Sequence, residues 1–132
     1  MILADSAEVI NGKLYMLGGG WDALTINSGF PRIFPVSIAV AFRVPWNDTN
    51  QPHAFAVEVQ DADGKALASV TGDFEVGRPA GIPAGLTQIT QIAVRLAIPL
   101  SQPGTHVIIG RIGDQELKRT PFVVVAPPTA RL

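Results

Sequence analysis

Apolar residues in this 132-residue chain recur at every second position, and stretches with a helical period are hard to find, which is the pattern of strands buried on one face. The clearest run, PVSIAVAFRVP at 35–45, sets Val36, Ile38, Val40, Phe42 and Val44 on one face and Ser37, Ala39, Ala41 and Arg43 on the other, with proline at both ends. HAFAVEVQ repeats the pattern with Phe55, Val57 and Val59, and Asp63-Gly64 after it marks a tight turn. The return strand, KALASVTGDFEV, slips in phase between Ala66 and Gly72 before Val70, Gly72, Phe74 and Val76 align. That slip predicts a bulge or a close backbone approach near Gly72. Ile92, Val94, Leu96 and Ile98 define a further strand; THVIIGRI and TPFVVVA follow, separated by turns at SQPG and around Gly113-Asp114.

The N-terminal stretch NGKLYMLGGGWDA supports three readings. It is similar to a kelch motif, but a propeller repeats that motif once per blade and here it occurs once. Gly18 to Ala23 also satisfies a loosened dinucleotide fingerprint, but the residues that follow, LTINSGFPRIFP, are β-branched or helix-breaking, so no helix can present its amides to a pyrophosphate. What remains is a hairpin turning at Asn11-Gly12, since a type I′ turn needs positive φ at both central residues. About eight strands at intervals of roughly 10 to 15 residues predict an all-β fold. The expected form is a single-domain antiparallel β-sandwich, Ig-like or C2-like, over 1–126, with 127–132 as a C-terminal tail. The 13 glycines and 11 prolines leave no room for long helices.

Charge narrows the partners. Ten Lys and Arg stand against 11 Asp and Glu with no run of one sign, so neither nucleic acid nor an anionic membrane is an expected partner. No apolar segment approaches the roughly 20 residues of a membrane span, and Asp5 and Glu8 interrupt the N-terminus where a signal peptide keeps its apolar core. The expected location is the cytoplasm. With no cysteine, disulfides, thiolate metal sites and thiol nucleophiles are excluded.

Catalytic and metal-binding patterns are sparse. His53 and His106 are the two histidines, and neither has carboxylates at metal-ligand spacing. No G-x-S-x-G elbow occurs. Asp61, Asp63 and Gly64 echo the start of a calcium loop, and a calcium site would draw on Asp48 from another loop at the same end of the sandwich, but six to eight oxygens are needed and the hairpin turn is the preferred reading. No cofactor or metal is expected, and no enzyme activity.

Two surfaces stand out as contact candidates. On the outward faces of three strands alanine replaces the usual long polar side chains: Ala39, Ala41 and Arg43; Ala56 and Glu58; Arg95 and Ala97. Such a surface suits close approach by another protein or by a second copy. Trp21, Trp46 and Arg78 fall in loops, where aromatic and guanidinium groups can anchor a ligand.

Four segments, LADSAEVINGKLYMLGGGW, VPWNDTNQPH, VQDADGKA and FEVGRPAGIPAG, together resemble a bacterial, mainly actinobacterial, family of short uncharacterised proteins catalogued as a domain of unknown function. The resemblance covers nearly the whole chain; Ser6 stands where such members often carry an aromatic. It implies a compact β-sandwich and assigns no activity or catalytic residue. The expected function is that of a non-enzymatic binding module that self-associates as a homo-oligomer or docks to another cytoplasmic protein. The alternative is a small-molecule or carbohydrate-binding module using the loop aromatics.

Overall fold

A computed structural model describes residues 1–127. Its strands are β1 (Ile2–Ile10), β2 (Lys13–Gly19), β3 (Ala23–Thr25), β4 (Arg32–Val44), β5 (Pro52–Gln60), β6 (Ala66–Glu75), β7 (Gln88–Leu100), β8 (Gly104–Ile112) and β9 (Gln115–Val125), with a single 3-10 turn at Trp46–Asp48. They form one domain of two sheets, ordered β2-β1-β4-β7 and β3-β9-β8-β5-β6. The all-β expectation stands. Of the tail expected at 127–132, everything from Pro128 onward lies outside the described residues.

The alternation read from the sequence aims the correct faces inward. Val36, Ile38 and Val40 of β4 and Val94, Leu96 and Ile98 of β7 meet Val57, Val59, Ile108, Phe122 and Val124 of the opposite sheet in one continuous core. One expectation needs correction: the sandwich is not wholly antiparallel, because β3 pairs in parallel with β9, Ala23 to Val123 through Thr25 to Val125. With only three residues, β3 has too short an alternation to be read as a strand. It nevertheless brings Leu24 and Ile26 into the core.

Asn11 and Gly12 take φ of 52° and 74°, the left-handed pair that the hairpin required. The hairpin does not stay in its sheet. β1 pairs with β4 only through Ile2, Leu3 and Ala4; beyond them β1 and β2 lie against β7, which is not their neighbour in the sheet. At the tip, Gln91 Nε2 donates to the Gly12 carbonyl. Ala4, Ser37 and Ala39, all on the outer face, are buried beneath. Ser37 and Ala39 of the outer face of β4 are therefore covered by the chain's own hairpin, while Ala41 is left exposed, and small side chains let that hairpin approach.

The phase slip in β6 resolves into two features. Val59 pairs with Ala68 and Gln60 with Ala66, so Leu67 is an extra residue bulged out of the ladder. Gly72 is the close approach: a Cβ there would lie 2.8 Å from Phe55 Cε1, so the ring lies over the bare backbone. Apolar residues on both faces of β8 also find their explanation. Ile108 is in the core, whereas Ile109, on the outer face between Glu58 and Arg119, is 0% exposed. Its cross-strand neighbours Glu58 and Arg119 are held in the ion pairs Arg111–Glu58 (3.0 Å) and Arg119–Glu116 (2.9 Å).

Candidate functional site

The predicted contact residues do not make one surface. Ala39, Ala41, Arg43, Arg95 and Ala97 lie on the outer face of the four-stranded sheet, where Ala39 opposes Ala93 and Arg95 opposes Ser37. Ala56 and Glu58 are on the other sheet, beside Arg111 and Ile109. Glu58 is engaged within the chain: Gln60 Nε2 (2.7 Å) and Arg111 Nη1 (3.0 Å) both donate to its Oε2. These hydrogen bonds hold its carboxyl below the usual carboxylate range. Ala41, Arg43, Arg95 and Ala97 remain exposed.

The loop residues separate similarly. Trp46 and Arg78, 32 positions apart, come together: the guanidinium carbon sits 3.9 Å from the centre of the Trp46 ring, an attractive cation–π geometry. Arg78 also donates from Nε to Thr49 Oγ1 (2.7 Å) and from Nη2 to the Trp46 carbonyl (2.8 Å). Arg78 thus pins the apolar 77–87 loop onto the β4–β5 turn, and it occupies one face of the Trp46 ring. Trp21 packs against the core, and its Nε1 is the one buried side-chain polar atom without a partner among the described residues. Asp61 Oδ1 accepts from the amides of Asp63 and Lys65, as a hairpin turn requires. Asp48 is at the far end of β5, about 30 Å away at ~3.3 Å per residue, which corrects the idea that it shares an end with Asp61 and Asp63.

The structure instead reveals a site on the open side of the sandwich. β1 ends opposite Ala39 and β3 meets only the last three residues of β9. Among the described residues the upper parts of β4 and β9 are therefore both unpaired along this side, and a cleft of about 510 Å3 opens between them. Its apolar surface comes from Met1, Val40, Phe42, Val44, Phe74, Ile112 and Leu117. Phe42 and Phe74 stack with centroids 4.5 Å apart, and His53 tilts against Phe74 at 5.3 Å. His53 Nε2 is 2.7 Å from the Asp48 carbonyl; a carbonyl only accepts, so this nitrogen carries the proton. His106 is elsewhere, buried against Phe122 with Nδ1 donating to the Gly104 carbonyl.

Two local features shape the cleft mouth. Gly110 pairs with Lys118 and Arg111 with Glu116, which leaves Leu117 as the extra residue of a bulge. A bulge re-aims side chains, and Leu117 lines the cleft while 58% exposed. The second feature is the free edge of β4. The Gly20 amide donates to the Leu3 carbonyl, so Leu3 turns its peptide groups toward β2 while Ile2 and Ala4 turn theirs toward β4, opposite Ala39 and Ser37. Alternation gives Ala41 and Arg43 the same direction, and both line the cleft beyond the end of β1.

The electrostatics of the mouth are one-sided. Arg43, Arg111 and Lys118 line it against one carboxylate, Asp48. Arg111 is paired with Glu58, whereas no ion pair involves Arg43 or Lys118 among the described residues. Sequence reasoning singled out Ala41 and Arg43 but missed Phe74, Leu117 and Lys118. The readable signal was in QELKRTPF, where Leu117 and Phe122 fall on opposite phases of one strand.

Residues 1–125 match the model of DUF6941, described as a family of unknown function. The chain belongs to that family. No curated protein matches it. The span matched to DUF6941 includes the two sheets and every residue that lines the cleft. No helix among the described residues is long and apolar enough to cross a membrane.

Proposed function

We propose that this DUF6941 domain is a non-enzymatic binding module, of Ig-like or C2-like sandwich form, that docks another polypeptide through the open side of its sandwich. The supporting observation is the cleft: a stacked Phe42–Phe74 wall and an exposed Leu117, rimmed by Arg43 and Lys118, which make no ion pair among the described residues. Apolar side chains held at a solvent-open mouth gain by burial against a partner at about 25 cal/mol per Å². The cations select a partner carrying negative charge. Anilinonaphthalene sulfonate, an aromatic anion, reports on such a seat. The folded protein should raise its fluorescence saturably, Leu117→Asp should abolish the rise, and Lys118→Glu should weaken it. A folded protein that leaves the dye dark, or variants that bind it like the parent, would overturn the reading.

Self-association has its own support. Ile10, Tyr15 and Leu17 form an exposed stripe on the hairpin, with Leu17 73% exposed, and β2 is an edge strand of its sheet, a combination that templates pairing between copies. Light scattering at tens of micromolar should then show a dimer that Leu17→Glu dissolves. A monomeric parent refutes this second reading.

A further inference from the structure

The cleft is bordered by a strand edge as well as by side chains, and this narrows what fits it. From Ala41 to Val44, β4 pairs with β7 on one side and, among the described residues, has no strand on the other. Ala41 and Arg43 direct their peptide N–H and C=O groups to that empty side, in line with β1, whose pairing stops at Ile2. An extended segment lying there would continue the β1 position and hydrogen-bond to β4, and its alternate side chains would meet the Phe74 and Leu117 surface. The same segment would pass between Arg43 and Lys118, with Asp48 as the one carboxylate lining the cleft.

We propose that the cleft takes an extended, acidic segment of a partner protein as an added strand on β4. This rests on the cleft being the binding seat and specifies what occupies it. A small apolar anion would use the aromatic wall and the cations but would leave the β4 edge unpaired; an extended acidic peptide uses all three.

The test uses three acetylated eight-residue peptides with the same valine and leucine positions. In the first the alternate residues are aspartate, in the second lysine, and the third is the aspartate peptide N-methylated on every second residue. Titrated to millimolar concentration into the nitrogen-15-labelled 132-residue chain, the aspartate peptide should shift the Ala41, Arg43 and Leu117 amides saturably. The lysine and N-methylated peptides should bind at least tenfold more weakly. The double variant Arg43→Glu with Lys118→Glu should reverse the preference and take the lysine peptide, a gain that misfolding cannot imitate. Equal binding of the aspartate and lysine peptides, or of the N-methylated peptide and its parent, overturns the proposal. So does the absence of any peptide binding, even where the dye binds; in that case the cleft remains a seat for apolar anions and the strand-like partner is rejected.

Discussion

Replacing Gly72 by alanine tests the packing behind the cleft wall. The new Cβ would lie 2.8 Å from Phe55 Cε1 and 2.9 Å from Cζ, well inside the ~3.5–4.0 Å of an optimal carbon contact. The ring has little room to yield, since its centroid lies 5.8 Å from Phe42 and 6.3 Å from Phe74, which stack on each other. Overpacking of this kind costs roughly 1–3 kcal/mol. Removing glycine's freedom from the unfolded chain returns about 0.4–1 kcal/mol. The net loss is about 1–2 kcal/mol, which for a domain of this size lowers Tm by about 3–7 °C. Thermal circular dichroism measures it. Phe55→Leu removes the ring edge, so Gly72→Ala should cost almost nothing in that background, and the cycle should show a coupling of ~1 kcal/mol or more. A Gly72→Ala protein as stable as the parent, or a penalty unchanged by Phe55→Leu, would refute the contact as the cause.

Three further outcomes follow from the geometry. Ala39, 3% exposed beneath the hairpin, should tolerate glutamate badly, with a loss of ~3 kcal/mol from the buried charge and no change in mass by light scattering; exposed Ala97→Glu should stay within about 0.5 kcal/mol, and equal effects would refute hairpin cover. Arg78→Ala removes the ring contact and two hydrogen bonds, so it should red-shift tryptophan emission and cost ~1 kcal/mol; an unchanged spectrum would show the clamp absent in solution. Because Glu58 titrates below its ordinary value in the folded state, its contribution is full above that ordinary value and disappears as pH falls through the lower folded one. Urea midpoints between about pH 3 and 6 should therefore decline less steeply for Glu58→Gln, and identical acid limbs would contradict the assignment.

The fold was legible wherever alternation ran long enough to name a face. The thirteen residues of β4 and of β7 gave their core positions correctly, and Asn11-Gly12 gave its turn. β3 was not legible, because three residues carry no period and its parallel partner lies a hundred residues away. The outer alanines were recognised as unusual, but period-2 reasoning identifies a face without identifying what covers it, and at Ala39 the cover is the β1–β2 hairpin. The candidate site was the least legible part. It arises where β1 and β3 stop short, and the absence of a neighbouring strand leaves no mark on the residues that lack it. Leu117 was visible as a phase break, but its meaning depends on which wall the bulge turns it toward.

The parallel pair of β3 and β9 also constrains the order of assembly. Ala23–Thr25 cannot take its place until Val123–Val125 has been made, so on the ribosome Leu24 and Ile26 stay without this part of their core until about a hundred further residues have emerged. The β1–β2 hairpin can form as soon as its own residues are free, since its ladder is local. Completing the five-stranded sheet depends on the longest-range pairing among the described strands, which places folding in the milliseconds-to-seconds regime of high contact order. During synthesis the nascent chain therefore exposes an early apolar segment whose protection, β9, is made about a hundred residues later.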